Sequence, residues 1–139
     1  MSIKKFNSEG YYDPTTYEAM TAVEKEEMAL RAFCPIVYIC SPYAGAVSEN
    51  IENARKYSRF AVDNGYIPIA PHLLFPQFLN DDNPKERQLG LFFGNALMSK
   101  CSEVWVFGDR ISSGMEAEIR RAKWKNYRLR YFTNTCEEV

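Results

Sequence analysis

The sequence predicts an α/β fold in which helices cover both faces of a parallel sheet of about four strands. Two observations lead to this class. Four short apolar segments alternate with longer amphipathic segments, and each apolar segment is continuous instead of alternating with polar residues. Such strands are typical of parallel sheets that are buried on both faces. The chain has 139 residues, of which 46% are hydrophobic and 25% charged, so it is long enough for one such domain and its core.

Turn and capping residues set the predicted bounds of the elements. Asp13 and Pro14 predict the start of a helix over 15–33, which precedes the alternation. The chain therefore divides into an N-terminal extension with a helix (1–34), an α/β domain (35–134) and a polar tail (135–139). Within the domain, strands are predicted over 35–41, 66–71, 102–108 and 127–133, and helices over 48–65, 84–101 and 113–126.

Two details of the first domain helix follow from its sequence. Ser48 is the predicted N-cap and Gly65 the predicted C-terminal stop. Helical spacing then predicts a buried stripe. It contains Ile51, Ala54, Ser58, Ala61 and Val62.

The helix over 84–101 is apolar nearly all round, which is unusual for a surface helix. Gly90 and Gly94 lie one turn apart and would let another backbone approach closely. We therefore expect a homodimer or higher homo-oligomer through this helix. Asn95 lies among its apolar residues and, if buried, needs a hydrogen bond to a neighbour or to a ligand.

Composition disfavours several classes of protein. The net charge of −1 and the pI of about 5.9 disfavour a nucleic-acid binder, and the basic residues over 120–130 are interpreted as a solvated face. No apolar run is long enough for a membrane span, and the N-terminus lacks a signal-peptide core. Four cysteines without a CxxC motif and one histidine disfavour a metal site, so we expect free thiols and a cytoplasmic location.

The strand order expected for this β-α-β-α-β-α-β chain is 2-1-3-4, in a doubly wound, flavodoxin- or Rossmann-like sheet. Ligands of such sheets bind at the carboxyl ends of the strands. The first two ends supply Ser41, Pro42, Tyr43 and His72 as candidate binding residues. Tyr43 would contact a base or sugar, or else lie on the surface of a Ser-Pro turn. His72 would contact the ligand or be structural.

The third strand end leads into the last helix, where a carboxylate interrupts the apolar face. Ser113 and Glu116 fit a capping box. Glu118 lies on or beside the predicted buried stripe, so it is either paired with Arg121 along the helix or a half-buried carboxylate tuned for chemistry. The residues before it favour the second alternative, because a helix N-terminus with hydroxyls suits an anion and glycine leaves space for a ligand. They are Ser112, Ser113 and Gly114.

The segments VYICSPYAG, NGYIPIAPH, CSEVWVFG and SSGMEAEIRRA together resemble the nucleoside 2-deoxyribosyltransferase-like superfamily, over residues 35–132. The resemblance implies that Glu118 is the nucleophile and that Gly114 is the glycine of the same motif. Ser112 replaces an aspartate of the transferases, and a serine there binds phosphate in the branch that cleaves nucleoside 5′-monophosphates. Tyr43 matches the first-strand tyrosine of the family.

One position departs from the family pattern: Asn95 stands where an aspartate is usual, and an amide cannot supply a proton to the leaving base. Asp81, Asp82 or His72 would then supply it; otherwise the two aspartates are solvated or cap the next helix. The expected function is cleavage of an N-glycosidic bond of a nucleoside or nucleotide, without metal or cofactor. The alternatives are a silent nucleotide-binding or sensing module and a protein-interaction adaptor.

Overall fold

The computed structural model describes residues 19–32 and 34–139, and it describes side chains for 19–28 and 34–139. The chain divides at Pro35 into an N-terminal unit and a larger unit, Pro35–Val139. No helix of the described residues combines the length and the apolar character needed to cross a membrane.

In the N-terminal unit, helix α1 spans Ala22–Ala32. Its start is a capping box in which the Glu24 amide donates to the Thr21 hydroxyl (3.1 Å) and the Thr21 amide donates to the Glu24 carboxylate (3.2 Å). The predicted helix over 15–33 is therefore not continuous, because residues 19–21 are not helical. The predicted start at Asp13 and Pro14 lies outside the described residues.

The larger unit is built on a four-stranded parallel sheet, as predicted. Its order, β2-β1-β3-β4, confirms the predicted 2-1-3-4. The strands are β1 (Ile36–Cys40), β2 (Ile67–Ile69), β3 (Glu103–Phe107) and β4 (Arg128–Phe132).

The sequence of each strand explains its place in the sheet. Strands β1 and β3 are almost fully buried and lie in the centre. Pro68 has no amide hydrogen to donate to a neighbouring strand, so it suits an edge strand, and it lies in the edge strand β2. The other edge strand, β4, carries Arg128 and Arg130, and charged residues are typical of sheet edges.

Helices cover both faces of this sheet. They are α2 (Val47–Asp63), α3 (Pro71–Leu74), a 3₁₀ turn (Phe75–Gln77), α4 (Pro84–Met98) and α5 (Ser113–Trp124). On one face, Tyr38 and Cys40 pack with residues of α4 and α5, among them Met98 and Met115. On the other face, α2 covers an aromatic cluster that contains Tyr57, Trp105, Phe107 and Phe132.

Local predictions needed several corrections. Helix α2 starts one residue before Ser48, after Ala46, so Ser48 is not its cap. Tyr57 is buried on the stripe of α2 instead of Ser58, and Val62 is exposed. Asparagine at position 64 and Gly65, with φ +83°, end this helix as predicted.

The segments predicted to be irregular contain structure. The segment after β2, predicted as a loop, folds into α3 and the 3₁₀ turn because Pro71 and Pro76 each occupy the first turn of a short helix. The polar tail returns along β4, with an antiparallel bridge from Phe132 to Glu138. Arg130 is not simply solvated, since it pairs with Glu138 (2.8 Å) and with the buried Glu103 (3.3 Å).

Candidate functional site

A pocket of about 190 Å³ opens at the carboxyl ends of β1 and β3. The chain reverses its winding between these two strands, which is where doubly wound sheets bind ligands. The pocket is enclosed by the loop after β1, by α3 and the 3₁₀ turn, by one side of α4 and by the first turns of α5. Most of the candidate residues line it: Ser41, Tyr43, His72, Asn95, Ser112, Ser113, Gly114 and Glu118.

Two candidate residues do not line this pocket. Pro42 follows Ser41 in the loop after β1 without contributing to the wall. Asp82 is exposed, and its amide donates to the Asn80 side chain (3.0 Å). The cap of α4 is Asn83, whose side chain accepts from two amides of the first turn. Asp81, one residue before Asp82, does line the pocket. Of these two aspartates, Asp81 is therefore the one that a ligand in the pocket would contact.

The N-terminus of α5 forms one wall of the pocket. Its cap is Ser112, whose hydroxyl accepts from the Met115 amide (3.2 Å), and not Ser113 as predicted. With Ser112 as the cap, the residue three positions later is Met115, so no capping box can form there, and Glu116 pairs with Arg120 (3.8 Å). The amides of Ser113 and Gly114 make no hydrogen bond within the described chain, so they remain available to an anion.

Ser41 adds a further donor to this wall. It is the first residue after β1, and its side chain is 1% exposed. Within the described residues its hydroxyl has no hydrogen-bond partner, although Ser41 lines the pocket. Since a buried hydroxyl without a partner is costly, a ligand atom in the pocket would satisfy it.

Glu118 lies on the pocket wall one turn after Gly114. No ion pair joins it to Arg121 among the described residues, so the alternative of a surface salt bridge is not supported. Burial raises the pKa of Glu118 to about 7, and a hydrogen bond from Tyr38 opposes part of this rise. At neutral pH the carboxyl group is thus close to equal populations of its two protonation states.

Tyr38 is a pocket residue that sequence reasoning missed. It lies in the middle of β1, and its hydroxyl is the hydrogen-bond partner of Glu118. Burial, followed by the Glu118 charge, raises the pKa of Tyr38, so the phenol stays protonated and acts as a donor. The signal was present in the strand period of two, since Tyr38 points to the same face as Cys40 and the last helix.

Gly94 explains how this hydroxyl finds space. A Cβ atom at Gly94 would lie 3.4 Å from the Tyr38 hydroxyl oxygen, and one at Gly90 would lie 3.6 Å from Leu79. Both glycines line the pocket. They therefore face the chain's own residues, and the argument that they admit a neighbouring subunit's backbone is wrong.

Aromatic rings form another part of the wall. The rings of Tyr43 and His72 lie 4.9 Å apart at an angle of 30°. Burial lowers the pKa of His72, against an opposing hydrogen bond to the Ser41 backbone and the charge of Asp81. The imidazole is therefore neutral at pH 7, and it suits a stacking role better than that of a proton donor.

The remaining wall is formed by α4 and the segment before it. The Asn95 side chain is half-buried and makes no hydrogen bond within the described residues, so its amide is free for a ligand. Arg87 and Glu86, which the sequence did not single out, line the same side. Phe75 and Leu79 add apolar surface to this side of the pocket.

Metal ligands are not assembled in the described part of the chain. No group of three or more His, Cys, Asp or Glu side chains there comes close enough to hold an ion. Cys40, Cys101 and Cys136 form no disulfide within the described residues.

Comparison with known proteins gives a family and a fold. The chain belongs to the family described as Domain of unknown function (DUF7768), which matches residues 35–132. A solved structure of a 2-deoxyribosyltransferase from Bacillus psychrosaccharolyticus has a similar fold, with a TM-score of 0.60. The two chains are 14% identical, and the similarity covers 70% of this chain and 72% of the other. A comparison with curated proteins gives no match.

Proposed function

We propose that this protein cleaves the N-glycosidic bond of a nucleoside or nucleoside 5′-monophosphate, with Glu118 as the nucleophile. One observation carries the proposal. A half-buried carboxyl group with a pKa of about 7 shares a pocket with two helix amides and a buried hydroxyl that have no hydrogen-bond partner in the described part of the chain. This combination offers a nucleophile beside an anion site, which a phosphorylated sugar requires.

The proposed reaction has two steps. The Glu118 carboxylate forms a bond to the anomeric carbon of the sugar while the carbon–nitrogen bond breaks, and the bond electrons and a proton go to the base. Water then attacks the glycosyl ester and releases the sugar, or a second base attacks it and a new nucleoside forms. The first outcome is hydrolysis and the second is transfer. Neither step requires a metal or a cofactor.

Binding of the substrate would follow the polarity of the walls. The amides of Ser113 and Gly114, with the hydroxyls of Ser112 and Ser41, would hold the phosphate at the positive end of α5. The hydroxyl oxygen of Ser112 accepts a hydrogen bond from the Met115 amide, so the hydroxyl hydrogen can be donated to the phosphate. The base would then lie towards Tyr43 and His72.

The leaving base needs a proton, and the pocket offers Asp81 for this step. Asp81 lines the pocket and interacts electrostatically with both Tyr43 and His72. Asp82 lies outside the pocket. Asn95 cannot donate a titratable proton, but its free amide can hydrogen-bond to the base.

The same asparagine favours a second candidate function, a nucleotide-binding module without turnover. In that case the pocket binds a nucleoside monophosphate, and no base is released. A thermal-shift screen of nucleosides and monophosphates, followed by chromatography of the incubated ligands, separates the two functions. Stabilisation with base release supports the enzyme, whereas stabilisation alone supports the binding module. A screen without any thermal shift contradicts both and leaves the protein-interaction adaptor.

Variants of one helix test the nucleophile. Glu118→Ala should abolish base release, because Glu118 is the carboxylate of the described residues whose charge acts on Tyr38 inside the pocket. Glu116→Ala is the matched control on α5, since Glu116 is exposed, pairs with Arg120 and does not line the pocket. Full activity of Glu118→Ala would remove the nucleophile from the proposal.

We also propose that the chain self-associates through α4. Leu89, Leu91 and Phe92 are exposed on this helix, and Phe78 is exposed beside it. Several large apolar side chains exposed on and near one helix favour a subunit interface there. Analytical ultracentrifugation of the chain and of Phe92→Glu tests this: the variant should sediment as a monomer.

A further inference from the structure

We infer that Asn50 is a positioning residue that fixes Tyr43 against His72 and so builds the wall on which a planar base stacks. Asn50 does not line the pocket. It lies in the first turn of α2, behind the loop that connects β1 to this helix. The part of the inference that concerns the base rests on the proposed function, whereas the placement of the ring does not.

The Asn50 side chain holds this loop through both hydrogens of its amide group. Its Nδ2 atom donates to the Tyr43 carbonyl (2.9 Å) and to the Ala44 carbonyl (3.2 Å). The next residue, Gly45, has φ +94°, a conformation that turns the loop and favours glycine. The two residues before this turn are therefore tied to α2 through the Asn50 side chain.

Tyr43 depends on this point of attachment. Its side chain makes no hydrogen bond within the described residues, and its ring contacts the His72 ring. His72 lies within α3, and its imidazole is hydrogen-bonded to the Ser41 backbone. The ring of Tyr43 thus keeps its place through the backbone carbonyl that Asn50 binds.

Two adjacent neutral rings on a pocket wall suit a planar ligand. The His72 ring is neutral at pH 7, because burial lowers its pKa. Aromatic rings prefer offset or tilted arrangements with one another, and nucleobases stack on them irrespective of base identity. The wall therefore selects a nucleobase as a class and not one particular base.

The test uses Asn50→Asp and Asn50→Leu. The first variant keeps the shape of the side chain and loses both donor hydrogens, and the second removes the donors without adding a charge. Asn64→Asp is the matched control, because the Asn64 amide donates to the Phe60 carbonyl (2.8 Å) at the other end of the same helix. Asn64 does not line the pocket.

The first measurement does not depend on activity. The chain has one histidine, so the imidazole proton resonances of His72 are unambiguous. Both Asn50 variants should lose the ring-current shift that Tyr43 produces, and Tyr43→Ala gives the size of a complete loss. Asn64→Asp should leave these resonances unchanged. Unchanged resonances in both Asn50 variants, or an equal change in the control, would overturn the inference.

The second measurement concerns the base. For a nucleoside monophosphate that the protein cleaves, the Asn50 variants should raise KM about tenfold and leave kcat within about twofold, because stacking acts mainly in binding. An unchanged KM together with shifted His72 resonances would overturn the stacking role alone. If the wild-type chain releases no base, the proposed function fails, and the resonances still decide the role of Asn50.

Discussion

Replacing Tyr38 by Phe should shift the acid limb of catalysis upward in pH. The hydroxyl of Tyr38 donates to Glu118 and lowers the pKa of that carboxyl group, which burial raises to about 7. In Tyr38→Phe the carboxyl group of Glu118 stays buried but loses this hydrogen-bond donor. The pKa of Glu118 should therefore rise further, and less of the nucleophile should be ionised at neutral pH.

The magnitude follows from the strength of such a bond. A hydrogen bond to a charged group contributes about 1.5–3 kcal/mol, and one pKa unit corresponds to about 1.4 kcal/mol, so we expect a rise of about one to two units. For a rise of about one unit from a pKa of about 7, the ionised fraction at pH 7 falls from about a half to about a tenth. The rate at pH 7 should then fall about fivefold and should recover above about pH 9.

Two assays measure this effect, and one variant controls for it. The pH profile of base release gives the functional pKa, and NMR titration with ¹³C-labelled glutamate gives the pKa directly, with Glu118→Gln identifying the resonance. Tyr57→Phe is the matched control, because Tyr57 is buried on the opposite face of the sheet, stacked on Phe107. A Glu118 pKa that stays constant or falls in Tyr38→Phe would refute the reasoning.

Three further predictions concern the same pocket. Glu118→Gln should raise the free energy of unfolding at pH 8 by up to about 3 kcal/mol. Because the native pKa of Glu118 is raised to about 7, its contribution to stability is fully present below about pH 4.5 and is lost as pH rises to about 7. Glutamine stays neutral, so the variant avoids this loss at pH 8. Urea unfolding at pH 5 and pH 8 checks it, and an equal effect at both pH values would contradict it. Ser112→Ala should cost about 1 kcal/mol of stability through the lost cap and weaken monophosphate binding, whereas Ser113→Ala should leave stability nearly unchanged, since its hydroxyl caps nothing. Chemical denaturation and calorimetric titration with a nucleoside monophosphate measure both. Asn95→Asp should increase base release, with a new basic limb in the pH profile, if a missing acid limits turnover; an unchanged rate would mean that another group, such as Asp81, already supplies the proton.

Much of the fold could be read from the sequence because its signals are local. Continuous apolar strands alternating with amphipathic helices determined the class and the parallel sheet, and the handedness of crossovers restricted the strand order. Element bounds were less accurate where capping decides them. Ser48 and Ser113 are plausible caps, but the chain uses Ala46 and Ser112, because the loop geometry before each helix determines which residue precedes its first turn.

The candidate site was predicted best where it follows a strand end. Ser41, Tyr43 and Ser112 line the pocket because the carboxyl ends of β1 and β3 meet at one edge of the sheet. Residues within elements were missed. The strand period of two places Tyr38 on the same face as Cys40, but it does not distinguish a pocket residue from a core residue. Arg87 lies in a charged helical turn and has no local signal that distinguishes it from a surface residue.

The sequence by itself determined which side chains could do chemistry, since the apolar face of the last helix contains a carboxylate and the turn before it contains hydroxyls. The tertiary structure alone decided their states. Glu118 has a pKa of about 7 because residues distant in sequence exclude water from it and Tyr38 donates to it. The same glycines that suggested a subunit contact instead leave space for Tyr38 and Leu79. Burial, hydrogen bonding and free space are properties of residues brought together by folding, and no local pattern specifies them.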